Sequence, residues 1–156
     1  MQIHALEIDD FSNDDYILIG IHSALEEFQL AYLLNQCLLT NFKRAKHGLD
    51  FENKNNNATF SIYEYENTKF SQFWFLIENK YVDTLDSQSS GFFQSNEITT
   101  YLIPEQKKVD FFLKLEGDFD PEFIQKTIEK INNINQVITS YTIDVYTLKS
   151  KDFLIF

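Results

Sequence analysis

The sequence has little glycine, little proline, one cysteine and one arginine. Four glycines leave no G-x-x-x-x-G-K-[ST] and no G-x-G-x-x-G, so the common backbone cradles for nucleotide phosphates are excluded. A G-x-S-x-G nucleophile elbow is missing too. With Cys37 alone, no intrachain disulfide can form, which suits a reducing cytoplasm. The three histidines, His4, His22 and His47, have no metal-ligand spacing, and no zinc site can be read. A calcium loop counted from Asp15 fails, because Ile17 and Ile19 fall where oxygen ligands are needed. Arg44 is the only arginine, and the formal net charge is −11. The basic residues cluster only at Lys43-Arg44-Lys46-His47 and at Lys107-Lys108, too few for a nucleic-acid binder. No apolar run approaches the roughly 20 residues that span a bilayer. The N-terminal residues lack the basic and apolar regions of a signal peptide. These absences predict a cytoplasmic protein with no cofactor, metal site, nucleic-acid partner or membrane association.

What the sequence does have is aromatic residues: 16 Phe, 8 Tyr and 1 Trp. Such rings can stack bases or sugars. The chain is also rich in Ile, Asn and Lys and poor in Gly, Pro and Arg, the bias of an AT-rich genome, and that accounts for the excess. A length of 156 residues with 44% hydrophobic and 24% charged residues predicts one soluble domain over 1–156.

Periodicity and turn residues divide the chain into elements. Residues 2–8 read as an edge strand and 16–21 as a buried strand. Ser23 and Glu26 have capping-box spacing and predict a helix over 24–37, with Leu25, Phe28 and Tyr32 inward and Ala31 and Leu34 widening the stripe. Strands are expected at 38–44, 58–66 and 70–77, the last two as a hairpin with 70–77 central. "ENKNNN" and the polar stretch 83–96, which carries Phe92-Phe93, read as loops. Further strands are expected at 98–103 and 109–115. Asp120 as N-cap and Pro121 at the first helical position start a helix to about residue 132, with Phe123, Ile124, Ile128 and Ile131 inward. A long strand at 137–148 and another at 152–156 follow. The fold expected is α+β: a mostly antiparallel sheet of about six to eight strands with two helices on one face.

Few residues offer chemistry. His22 lies between a buried strand and a helix start, where it could act as a base or simply pack. Asp9, Asp10, Asp14, Asp15, Asp118 and Asp120 could converge on a metal, but turns and helix starts favour acids anyway. The most distinctive stretch is "LIPEQKKVDFFLKL", residues 102–115. Pro104 cannot donate to a ladder, so it ends a strand, and the alternation from Val109 to Leu115 reads as the next one. The pair is expected to form a hairpin. Glu105 and Asp110 should then lie close across it, accepting from turn amides or pairing with Lys107 or Lys108. The alternative is a carboxylate pair used as an acid–base device.

"DDF", "DYILIGIHSALEEFQLAYLLN" and "IPEQKKVDF" together resemble the IPExxxVDY family of small Bacteroidetes proteins, with Phe111 where the family name has tyrosine. The likeness runs to about Leu115. It implies a cytoplasmic bacterial protein and brings no activity. The candidate motif residues are therefore Ile103, Pro104, Glu105, Asp110 and His22. The expected function is a non-enzymatic binding or protein-interaction module, with a protein partner or a homodimer joined through a sheet edge, where the terminal "DFLIF" could pair. The alternative is a small-ligand protein or enzyme with a carboxylate site at Glu105 and Asp110.

Overall fold

A six-stranded antiparallel sheet forms the centre of the molecule, in the order β10-β1-β9-β6-β5-β2. The computed structural model describes residues 15–53, 56–85 and 96–156. In chain order the elements are β1 (Tyr16–Ser23), α1 (Glu27–Leu38), β2 (Lys43–Arg44), β3 (Leu49–Asn53), β4 (Asn56–Phe60), β5 (Ile62–Asn67), β6 (Gln72–Glu78) and β7 (Lys80–Leu85). They continue with β8 (Asn96–Tyr101), β9 (Phe111–Glu116), α2 (Pro121–Asn132) and β10 (Val137–Ile143). Short 3-10 turns follow at Val145–Thr147 and Lys151–Leu154. The fold class is α+β, as the sequence predicts.

The centre of the sheet is buried on both faces, and its central strands are therefore mostly apolar, with Lys114 of β9 as a buried exception. On one face Ile19, Ile21, Trp74, Leu76, Phe111, Leu113 and Leu115 form a core with Leu30, Ala31 and Leu34 of α1 and Ile124 and Ile131 of α2. On the other, Leu18, Ile77 and Phe112 meet Phe60 of the β3–β4 hairpin and Leu102, Ile103, Val109, Leu148 and Leu154. Gly20 lies mid-strand in β1 because a Cβ there would come within 2.7 Å of Ile143 Cδ1. Gly117 turns the chain out of β9 at φ +118°, a conformation that other residues rarely adopt. Part of the aromatic excess is packed around the core: Trp74 meets Phe42, Tyr65, Phe119 and Phe123 edge-on.

Several expectations are corrected. β8 and β9 do not form a hairpin: β8 pairs with β7, while β9 lies between β1 and β6. The sheet is completed by strands distant in sequence, so the chain after β8 must turn back into the core rather than reverse on itself. Within 83–96, residues 83–85 belong to β7. The 58–66 run is broken at Ser61, where the chain leaves the β3–β4 hairpin for the main sheet. The strand expected over 137–148 stops at Ile143, and residues 152–156 form no strand: Lys151–Leu154 is a 3-10 turn on the outer face. Helix α1 starts at Glu27, and its cap is Glu26, whose N–H donates to the Gln29 side chain at 3.1 Å. Ser23 instead accepts from Leu25 N. Asp120 and Pro121 start α2 as predicted, with Asp120 accepting from Glu122 N at 2.9 Å. The expected strand at 2–8, Asp9, Asp10, Asp14 and Phe92-Phe93 lie outside the described residues.

Candidate functional site

The 102–110 stretch is organised around one side chain absent from the sequence expectations, Asn79. It sits fully buried between β6 and β7. Its Nδ2 donates to Gln106 O (2.9 Å) and Val109 O (2.8 Å), and its Oδ1 accepts from Ile103 N (2.8 Å). Its backbone adds Asn79 N to Asp110 O (3.0 Å) and Leu102 N to Asn79 O (2.9 Å). Ile103 and Val109 plug into the outer core on either side of this knot. Pro104 opens the 3-10 turn Pro104–Gln106, where a missing N–H costs nothing. Lys107 and Lys108 are exposed, with Lys107 Nζ 5.9 Å from the centre of the Tyr101 ring.

Glu105 and Asp110 serve different elements. Glu105 accepts from the Ser150 amide (2.7 Å) and hydroxyl (2.9 Å), clamping the C-terminal segment. Burial raises the pKa of this carboxyl, but the bonds from Ser150, with those from the Glu105 and Lys149 backbone, together outweigh it and hold it below the usual carboxylate range. Asp110 Oδ2 accepts from Ser23 N at 2.8 Å, tying β9 to the connection into α1. His22 turns toward β10, with Nε2 2.8 Å from the Tyr141 hydroxyl. No hydrogen bond or ion pair joins His22, Glu105 and Asp110 to one another among the described residues. The expected pairing of the two carboxylates across a turn, or with Lys107 or Lys108, is replaced by donors from distant elements.

Asp15 and Asp118 line an open groove of about 700 Å³ with Asp144, while Asp120 is used as a helix cap. Among the described residues no group of three or more His, Cys, Asp or Glu is placed to hold a metal ion.

Two other surfaces emerge, and they touch. A polar cleft of about 490 Å³ is lined by Ser23, Leu25, Glu26, Glu78, Lys80 and Asp110, among others. Burial, then repulsion from Glu27 and Glu26, pushes the Glu78 carboxyl up to about 7, against the opposing pull of Arg44. Beside the cleft, Leu25, Phe28, Gln29, Tyr32, Leu33 and Gln136 form an apolar groove of about 500 Å³. Phe28 and Tyr32, one helical turn apart, are 57% and 62% exposed. Of the predicted inward stripe of α1, Ala31 and Leu34 do face the core, together with Leu30, and Leu25 packs against it, whereas Phe28 and Tyr32 lie on the surface. The sequence held a signal of this: α1 is apolar on two faces, which one buried face does not require.

Comparison with protein-family models, with curated proteins and with solved structures gives no match. Among the described residues no helix is long and apolar enough to cross a membrane.

Proposed function

We propose that this is a non-enzymatic protein-interaction module that docks a segment of another protein in the α1 groove. The observation that carries this reading is the pair Phe28 and Tyr32, more than half exposed on a helix whose opposite face is packed. Clustered exposed aromatics mark docking surfaces more often than scattered ones do. A second copy is the poorer occupant, since each brings a net charge of −11 and Glu26 and Glu27 at the groove's end. Addition of a second copy at the β10 edge is also disfavoured. Asn132 already reaches over that edge, accepting from Ser140 N at 2.7 Å, and "DFLIF" packs on the outer face. The enzyme reading through Glu105 and Asp110 lacks support, because each carboxylate is engaged by a different part of the fold. Membership of the IPExxxVDY family and a bacterial cytoplasmic setting belong to the same proposal, supported by the motif residues 103–111 and by the single Cys37. A nucleic-acid partner is not part of it.

The test is the double variant Phe28→Ser, Tyr32→Ser. Its unfolding free energy should stay within about 0.5 kcal/mol of the parent, as for surface substitutions. Proteins captured by the immobilised parent, then purified and titrated singly, should fail to bind the variant. Undiminished binding by the variant, or a large loss of its stability, would show that these rings are not a docking surface.

A further inference from the structure

Resting on the reading of the α1 groove as a docking surface, we infer that the partner segment carries a lysine or arginine next to its apolar anchor, and that this cation enters the carboxylate-lined cleft beyond Leu25. Leu25 lines both the groove and the cleft, so the two are consecutive stations for one bound segment. On the cleft side stand Glu26, Glu78 and Asp110, against one cation, Lys80. Glu27 of α1 and Arg44 of β2 act on Glu78 from the flanks. That makes four carboxylates, Glu26, Glu27, Glu78 and Asp110, against two cations, Lys80 and Arg44. None of the four is in an ion pair among the described residues, where the ion pairs are Lys114 with Glu116 and Lys126 with Glu122. A cleft with more carboxylates than cations, continuing an apolar groove, selects a segment that is apolar at one point and cationic at the next, even with Asp110 already accepting from Ser23 N. The net charge of −11 would steer such a segment in from a distance.

The state of Glu78 agrees with this. Burial, and then repulsion from Glu27 and Glu26, keeps it partly protonated near neutral pH, and an incoming cation would offset that repulsion and favour loss of the proton. Binding should therefore strengthen as pH rises through about 7.

The experiment selects a displayed library of random 12-residue peptides on the full chain, with counter-selection on the Phe28→Ser, Tyr32→Ser variant. The expected winners combine an aromatic or aliphatic anchor with a nearby Lys or Arg. Replacing that cation by Gln should weaken binding about three- to tenfold, as should Glu78→Gln. The parent should bind the winning peptide several-fold more tightly at pH 8 than at pH 6, and Glu78→Gln should flatten that dependence. Thermal melts check that each variant is folded. Winners without basic residues, or indifferent to Glu78→Gln, overturn the cationic partner and leave the groove standing. Winners that bind the double variant equally well, or no enrichment at all, overturn the groove reading together with this one.

Discussion

At the scale of single residues, the motif that looks most like a site is a structural clamp, and Asn79 shows why. A buried primary amide has two donors and one good acceptor to satisfy. Here the loop supplies two carbonyls and one N–H at 2.8–2.9 Å, so Asn79 does for residues 103–109 what a neighbouring strand does in a ladder. Removing it leaves Ile103 N and Val109 O without that partner in a dry interior, at about 1–3 kcal/mol each before relaxation, while Gln106 O keeps its bond from Val109 N. Asn79→Ala should lose about 3–5 kcal/mol in urea unfolding. Asn79→Asp keeps the acceptor for Ile103 N but sets a carboxylate against the carbonyls of Gln106 and Val109, and it should fare no better. Loss of less than about 1 kcal/mol in both variants would mean that the loop holds its shape without the amide. The same reading explains Glu105 and Asp110. Each is placed to receive a backbone N–H from a part of the chain that must be held, Ser150 in one case and Ser23 in the other.

At the scale of elements, what the sequence made legible was local, and what it concealed was long-range. β1, β6, the α2 start at Asp120-Pro121 and the α+β class could all be read from caps and alternation. The pairing of β9 could not. Its alternation is the same whether its neighbour is β8 or β1, and only the whole sheet decides. Helix α1 was legible in part: Ala31 and Leu34 face the core as read, but Phe28 and Tyr32 lie on a second apolar face, and periodicity alone cannot say which face meets the sheet. The C-terminal segment misled in another way, since the short apolar run of "DFLIF" reads as a strand yet serves as a plug. Leu154 is fully buried, Phe153 stands edge-on to Phe51, and the Phe156 ring lies 4.4 Å from Lys114 Nζ. Lys114, buried mid-sheet, meets Glu116 at 2.6 Å and the rings of Tyr16 and Phe75 as well. Deleting residues 152–156 should therefore cost about 3 kcal/mol, from one buried leucine and two partly buried phenylalanines. It should also raise binding of a hydrophobic dye, because the outer core is uncovered. Unchanged dye binding and stability would make the segment a passenger.

At the scale of the whole molecule, stability should follow two carboxyls with opposite shifts. Glu78 titrates near 7 in the fold, raised from 4.5. A raised acid contributes stability that is fully present below its unfolded pKa and lost as pH rises through the folded value. The window is thus pH 4.5 to about 7. The undiscounted shift corresponds to about 3 kcal/mol, and solvent contact reduces this to about 1–2 kcal/mol. Glu105 is lowered by Ser150, so its contribution is present above its unfolded pKa and lost as pH falls through the folded value. The two together place the optimum on the acid side of neutrality, near the lower end of the Glu78 window. The net charge of −11 works in the same direction, because self-repulsion eases as carboxylates protonate. Urea unfolding should accordingly give a parent less stable at pH 8 than at pH 5 by about 1–2 kcal/mol from Glu78 alone. Glu78→Gln removes the titrating group and should recover that difference at pH 8 while changing little at pH 5. Were the variant to show the parent's full slope between pH 5 and pH 8, general charge repulsion rather than the cleft would control the profile. Glu78 would then be an ordinary surface acid with no strain for a bound cation to relieve.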